Sequence, residues 1–242
     1  MMHPGGNSMA DIDVVILCGG LGTRLRPVIA DRPKPMAPVR GRPFLEYVVD
    51  SIADRGFSRF IFCVGHMPQV IMKHFTGYRG IDAHFSQETE LLGTAGALKL
   101  CEPLIEGNRM MIVNGDSICA LDYAELVGVH CAGGSVMTTA LAVDDERRDG
   151  GFVKLGPGGL IEAFQEKNRD EGTPYINAGI HVAERSMFEL IEPGVKCSLE
   201  SDVIPRLLER GVGGYVTKER CYDIGTPERL NILERAMGGS GA

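Results

Sequence analysis

Residues 17–39 read LCGGLGTRLRPVIADRPKPMAPV and gather three glycines, four basic side chains and four prolines behind a short apolar run. Glycines directly after a buried strand let backbone N–H groups come close to an anion. Arg24 and Arg26 stand inside that loop, and Lys34 lies between Pro33 and Pro35. A residue before proline is pushed out of the helical region, so Lys34 is expected on an extended, stiff segment that aims its ammonium at little entropic cost. The stretch predicts an anion cradle suited to a polyphosphate. It is neither standard phosphate loop, since GxGxxG would require glycine at Leu25 and GxxxxGK[ST] does not occur. Further along, Asp116 follows the apolar run Met110–Val113, and Asp223 lies just before Thr226-Pro227-Glu228, a helix start with Thr as cap and Pro in the first position. Either aspartate alone reads as a turn former.

The elements that must carry these residues alternate. Apolar runs at Asp13–Cys18, Phe60–Val64 and Met110–Val113 read as strands buried on both faces, with a weaker strand at Asp82–Ser86. Helical spacing falls between them at Leu45–Ala53, Pro68–Phe75 and Ala95–Ile105. This alternation implies βαβ units and the α/β class, with a largely parallel sheet and right-handed crossovers. From about residue 135 the pattern changes to strands with Gly-rich turns at Ser135–Val143, Phe152–Leu155, Leu160–Gln165 and Tyr175–Val182, followed by helices at Leu199–Arg210 and Pro227–Ala236. That change predicts a substrate-facing layer added to the same core. Ligands of open parallel sheets bind outside the carboxyl ends of the strands, so the loops after Cys18, Ser86, Val113 and Val182 are expected to wall the site.

Composition narrows the class. A chain of 242 residues with 44% hydrophobic content can bury one sizeable core, expected over residues 11–237, with Gly-rich polar ends at 1–10 and 238–242 lying disordered outside it. A formal charge of −7 argues against a general affinity for nucleic acid. Seven cysteines without CxxC or Cys/His spacing suggest neither a disulfide framework nor a zinc site, and they read as reduced thiols. The start lacks the apolar region of a signal peptide, and no window approaches the ~18 apolar residues of a membrane span. A soluble, cytoplasmic protein with no membrane partner is expected, with a homo-oligomer left open.

The strings GGLGTRLRP and PKPMAPVRGRPFLE are followed in order by LGTAGAL at 92–98, VNGDS at 113–117, EK at 166–167, NAG at 177–179 and DIGTPE at 223–228. Together they resemble the signature of the sugar-1-phosphate nucleotidyltransferases, over nearly the whole stretch from Val14 to Glu234. The resemblance implies a Rossmann-like nucleotidyltransferase fold, a mainly parallel mixed sheet flanked by helices, without the C-terminal β-helix of some relatives. It also implies a Mg²⁺ ion and transfer of a nucleoside monophosphate from an NTP to a sugar 1-phosphate, with release of pyrophosphate. By resemblance Arg24 would hold the departing pyrophosphate and Lys34 the α-phosphate region. Nucleotide contacts would come from Leu17, Gly19, Gly20, Gly22, Thr23, Gly93 and Thr94. Mg²⁺ favours oxygen ligands and is often held by one or two carboxylates with substrate phosphates, a specification that Asp116 and Asp223 meet as a pair. Glu166 and Lys167 would take the sugar and its phosphate, aided by Asn114, Asn177 and Gly151.

Base selection points to Glu88, because a carboxylate only accepts and can take both N1–H and N2–H₂ of guanine, a pair that uracil and thymine lack. Glu88 stands in Gln87-Glu88-Thr89-Glu90, so an exposed charge, with Gln87 facing the base, is the competing reading. LCGG and SQETELLGTAGAL most resemble the bacterial guanylyltransferases for D-glycero-α-D-manno-heptose 1-phosphate, and next those for mannose 1-phosphate. GTP and such a sugar 1-phosphate are the expected substrates. A uridylyl- or thymidylyltransferase is the alternative within the family. A non-catalytic regulatory subunit would be expected to lose Lys34 or the two aspartates, which this chain retains. A dinucleotide-dependent oxidoreductase is disfavoured by the missing third glycine.

Overall fold

The computed structural model describes residues 9–25, 28–143, 150–165 and 175–238. Strand β1 (Asp13–Leu17) runs through the middle of the sheet, with Val14 and Ile16 packed into one core and Val15 into the other. Helices cover both faces, which is why the run is apolar without alternation. After a two-residue hairpin, β2 (Pro38–Val39) and β3 (Arg42–Pro43), comes α1 (Phe44–Ala53), which buries Phe44, Leu45, Val48, Val49 and Ile52 along one stripe. The alternation continues through β4 (Arg59–Val64), α2 (Pro68–Phe75), β5 (Asp82–Gln87), α3 (Gly93–Cys101) and β6 (Arg109–Asn114). Pro103 follows α3, and Glu102–Leu104 tightens into a 3₁₀ turn where the sequence suggested continued helix. No helix among the described residues is long and apolar enough to cross a membrane.

Strands β6, β1, β4 and β5 are parallel neighbours in that order. The second half of the chain is added to the same core by widening this sheet to nine strands. Strand β8 (Met137–Val143) pairs antiparallel with β11 (Tyr175–Glu184), and β12 (Val212–Thr217) pairs parallel with β8. Strands β9 (Phe152–Leu155) and β10 (Ile161–Gln165) close the other edge. Opposite β8, strand β11 serves two further ladders, pairing through Tyr175–Ile176 with β9 and through Ile180–Glu184 with β6. Its register with β8 breaks between Asn177 and His181, where Gly179 takes φ +73°. Because β11 is antiparallel to β6, the chain after Val182 returns to Asn108 and Arg109 at the start of β6. That loop is therefore at the far end of the sheet, and the expectation that it walls the site is wrong.

Several short elements were not anticipated: β7 (Ser117–Cys119), α4 (Tyr123–Gly133), β12, and β13 (Cys221–Asp223), which pairs antiparallel with β7 as a small sheet apart. The expected helix Leu199–Arg210 is a π-helical turn, Leu199–Val203, leading into the short α5 (Ile204–Leu208). Helix α6 (Pro227–Gly238) begins at Pro227 as the sequence indicated. Cys119 and Cys221 face each other across β7 and β13 as a disulfide, which corrects the reading of all seven cysteines as thiols. A separation of 102 residues hides that pair from any spacing rule. At the foot of β1 the buried Asp13 pairs with Arg59 of β4 and accepts the N–H groups of Glu106 and Gly107, just before β6.

Candidate active site

A cavity of about 540 Å³ opens at the carboxyl ends of β1, β4, β5 and β6, the place where parallel strands deliver their loops. Leu17, Gly19, Gly20, Gly22, Thr23, Arg24, Glu88, Gly93, Thr94 and Asp116, the sequence-expected nucleotide contacts, all line it, as do Lys34 and Asn114. Arg26, Glu166 and Lys167 lie outside the described residues.

The loop after β1 is stitched down by Cys18 N–H to the Cys63 carbonyl at 3.0 Å and by His66 N–H to the Gly19 carbonyl at 3.1 Å. Gly22 has φ +58°, and a Cβ there would stand 2.7 Å from Cβ of Lys34. Glycine thus lets the loop close onto the lysine. Lys34 is not on an extended segment: Pro33 is extended, but Lys34 opens a 3₁₀ turn to Met36, closed by Met36 N–H to the Pro33 carbonyl at 2.8 Å. The stiffness expected from the two prolines comes through that turn.

Lys34 Nζ donates to Asp116 Oδ2 at 2.5 Å, with the lysine side chain 13% and the aspartate side chain 35% exposed. Burial would raise the Asp116 carboxyl, but the Lys34 ammonium, with the Ser117 hydroxyl, holds it below the usual carboxylate range. Asp116 therefore remains an anion at the cavity wall. Asp223 is one step away, since it pairs with Ser117 across the two short strands and Ile224 N–H donates to the Asp116 carbonyl at 3.0 Å. Its Oδ1 accepts from Gly225 N–H at 2.8 Å and pairs with Arg229 at 3.1 Å. Arg24 and Gly225 line the cavity, with Arg24 Nη2 3.6 Å from a Cβ built on Gly225, and Asp223 sits behind Gly225, outside the lining.

No cluster of three or more His, Cys, Asp or Glu side chains with the geometry to hold a metal occurs among the described residues. Asp116 in the turn before β7 and Asp223 at the end of β13, each paired with a side-chain cation, are a donor set that suits Mg²⁺ held partly by phosphate, not a closed protein cage.

Glu88 begins the chain after β5 and folds back. Its Oε2 accepts Leu92 N–H at 3.0 Å, and Oε1 sits over Gly19 and Gly65, where an added Cβ would approach within 2.6 and 2.5 Å. Both glycines make room for this carboxylate, a reason the sequence did not suggest. Thr94 lines the cavity, but its hydroxyl donates to Glu200 at 2.8 Å and accepts from Leu199 N–H at 2.7 Å. It fastens the 197–200 segment over the start of α3, where the Cys197 carbonyl accepts from Ala95 and Gly96. That segment brings Lys196 to the cavity edge, a cation missed because it stands on an irregular loop without a motif.

On the other side, Asn114 ends β6, and a Cβ on Gly179 would come 2.7 Å from its Nδ2. Asn177 Oδ1 accepts Gly179 N–H at 2.8 Å, and Asn177 N–H donates to the Gly151 carbonyl at 2.8 Å. Gly151, Asn177, Gly179 and Asn114 thus form a continuous run. Gly151 has a packing role as well, because a Cβ there would meet the Phe164 ring at 2.7 Å.

A mixed sheet with this Gly-rich loop, paired cation and carboxylate, and second aspartate on a neighbouring strand defines a nucleotidyl transferase. Residues 13–237 match the family of that description, and the chain belongs to it. It is 33% identical over 229 residues to the D-glycero-α-D-manno-heptose 1-phosphate guanylyltransferase of Aneurinibacillus thermoaerophilus, covering 93% of this chain and 98% of that one. It is 34% identical over 222 residues to the mannose-1-phosphate guanylyltransferase of Mycobacterium tuberculosis, covering 90% of this chain but 62% of that longer protein. Among solved structures, HddC from Yersinia pseudotuberculosis superimposes with a TM-score of 0.82 at 31% identity, covering 93% of this chain and 99% of HddC. HddC has also been solved complexed with GMP-PN.

Proposed function

We propose that this chain is a sugar-1-phosphate guanylyltransferase. An oxygen of the sugar 1-phosphate attacks the α-phosphorus of GTP, the bond to the α,β-bridging oxygen breaks, and pyrophosphate leaves with that oxygen. The reading is carried by the Lys34–Asp116 pair, set against the Gly19–Arg24 loop in a cavity whose volume suits a nucleotide. Such a reaction joins two anions, so charge neutralisation and alignment do most of the catalysis.

Arg24 forks onto the departing phosphates, while Lys34 exchanges Asp116 for the α-phosphate, where a movable point charge follows the developing transition state. Backbone N–H groups between Gly19 and Thr23 add fixed dipoles. Glu88 accepts from the guanine edge. Asn114, Asn177 and the Gly179 backbone take sugar hydroxyls, with Glu166 and Lys167 completing the sugar and phosphate contacts. Asp116 and Asp223 would hold Mg²⁺, which when bound adds positive charge beside the phosphates. Both substrates are small soluble anions, in keeping with a cytoplasmic setting.

We favour D-glycero-α-D-manno-heptose 1-phosphate as acceptor, because the relative named for it matches 93% of this chain over 98% of its own length. Mannose 1-phosphate is the second reading, supported by the 34% identity to the mycobacterial enzyme. A pyrophosphate-release screen of GTP, ATP, UTP, dTTP and CTP against both sugar phosphates and glucose 1-phosphate tests donor and acceptor together. GTP with a manno-configured acceptor is expected to lead; preference for UTP or dTTP would overturn the guanylyl assignment.

A further inference from the structure

Cys119 and Cys221 stand directly opposite each other in the β7–β13 pair, with Cα atoms 4.3 Å apart, joined as a disulfide. The next pairs along are Ile118 with Tyr222 and Ser117 with Asp223, and Asp116 is the residue before β7. These strands form a sheet of their own, three pairs long and off the nine-stranded sheet. So short a ladder has little stability by itself. The covalent rung therefore lies two pairs from Asp223, in the element that sets the distance between the Asp116 and Asp223 backbones. Cys119 is buried, while Cys221 is partly exposed. The remaining cysteines are free thiols, and of these Cys18, Cys63 and Cys101 are buried in the core.

We propose that Cys119 and Cys221 are a reversible redox-modification site, oxidised and reduced by low-molecular-weight disulfides and dithiols, that sets how tightly β7, which follows Asp116, and β13, which ends at Asp223, are held together. Oxidation is a two-electron exchange. The Cys221 thiolate attacks one sulfur of the small disulfide, forming a mixed disulfide and expelling one thiolate; the Cys119 thiolate then attacks Sγ of Cys221 and expels the second. The two protons lost by the cysteines end on the two released thiols, so one protein dithiol and one small disulfide become one protein disulfide and two small thiols. Reduction by a dithiol runs the other way: one of its thiolates attacks Sγ of Cys221 and expels the Cys119 thiolate, its second thiolate then attacks the mixed disulfide and expels the Cys221 thiolate, and the dithiol ends as a cyclic disulfide with its two protons on the cysteines. Because the link closes a loop of about 100 residues, it restrains the unfolded chain strongly as well as the native strands.

The modification itself stands apart from the guanylyltransferase reading; only its effect on the aspartates as metal ligands rests on that reading. The test uses the full chain equilibrated with oxidised glutathione or with dithiothreitol, alkylated and digested. Mass spectrometry is expected to find the residue 119 and 221 peptides linked after oxidation and separately alkylated after reduction, with Cys131 and Cys197 alkylated in both. Reduction is expected to lower Tm by roughly 5–15 °C. Hydrogen exchange should rise in residues 117–119 and 221–224. A Cys119→Ala/Cys221→Ala variant should melt like the reduced protein and ignore the redox buffer. A second readout is the Mg²⁺ concentration giving half-maximal pyrophosphate release, expected to be a few-fold higher in the reduced form.

Linkage of Cys221 to any other cysteine, or both cysteines alkylated in oxidised glutathione, overturns the proposal. So does a linked protein whose Tm and exchange match the reduced one. Absence of pyrophosphate release with every substrate pair counts against the guanylyltransferase reading, and leaves the linkage, melting and exchange results to decide this one.

Discussion

The two walls of the cavity are made by different means. The side proposed to take the nucleotide hangs from parallel strands, whose carboxyl ends deliver the Gly19–Arg24 loop, Glu88 and Asp116 to one edge by chain direction alone. The flank at Asn114, where we propose that the acceptor binds, depends on β11, which runs the other way and brings Asn177 and Gly179 up behind Asn114 from its interior, at a break in register. A bulge re-aims side chains that a regular strand would bury in its ladder. The loops lining the cavity are therefore set by topology, while the placement of Asn177 and Gly179 beside Asn114 rests on one local irregularity.

The strongest way to break this contrast is at the donor wall. Asp116→Asn and Lys34→Met are each expected to lower kcat by about 10²–10³, with melting curves still cooperative, since each removes charge at the reacting phosphates. Steady-state kinetics at limiting Mg²⁺ decide it, and near-native kcat in Asp116→Asn would remove that residue from the chemistry. Glu88→Gln keeps an acceptor for Leu92 N–H but replaces one oxygen by a donor that meets a donor on guanine. GTP-over-UTP selectivity is expected to drop on the order of 10², following the cost of unsatisfied buried polar groups. A competition assay with mixed NTPs reads this directly, and unchanged selectivity would move base reading elsewhere.

Two glycine substitutions sharpen the contrast. Gly22→Ala forces a side chain into φ +58° and against Lys34, whereas Gly179→Ala does the same at φ +73° against Asn114. Each is expected to cost about 1–2 kcal/mol of stability. The first should fall mainly on GTP kinetics and the second on the KM for sugar phosphate; identical kinetic signatures would show that the walls are not independent.

The smallest effect on turnover is expected at His181 of β11, whose Nδ1 bonds Thr139 at 3.0 Å and whose Nε2 has no hydrogen-bond partner among the described residues. Burial pushes this imidazole down to about 4 from its ordinary 6.5. Below pH 6.5 the unfolded chain takes up a proton that the native one refuses. Stability is therefore intact above 6.5 and falls as pH drops toward 4, by roughly 3 kcal/mol from this group. His130, also lowered by burial, acts in the same direction. Urea melts of wild type and His181→Gln from pH 7.5 to 4 should diverge below 6.5, and parallel curves would assign the acid sensitivity to other groups.

What the sequence made legible follows the same division. Buried parallel strands have a plain signature, so β1, β4 and β6 were readable to within a residue, and their exits carried most of the cavity lining with them. Asp122 caps α4 through Ala124 and Glu125 N–H, and Tyr123, Leu126, Val127 and His130 form its buried stripe. That helix had readable signals that the Gly-rich surroundings obscured. Strand β12 had none: Gly213 and Gly214 suggest a turn, yet Gly214 sits in the sheet because a Cβ would come 2.5 Å from Leu155 and 2.9 Å from Leu141. The Glu88 carboxylate resting on Gly19 and Gly65, the direction of β11 and the Cys119–Cys221 link all depend on contacts between distant segments, which no local pattern encodes.

Asp13 gives the sheet a common origin. Its carboxylate joins the first residue of β1 to the first residue of β4 through Arg59, and to the turn entering β6 through two N–H groups. Three strands thus leave from one fixed line, and at about 3.3 Å per residue their far ends arrive in step some 16 Å away. The alignment of the Gly19–Arg24 loop with Asn114 and Asp116 is surveyed from the opposite end of the strands. A change at Asp13 would detune the catalytic geometry from beneath, as a shifted benchmark displaces every height measured from it.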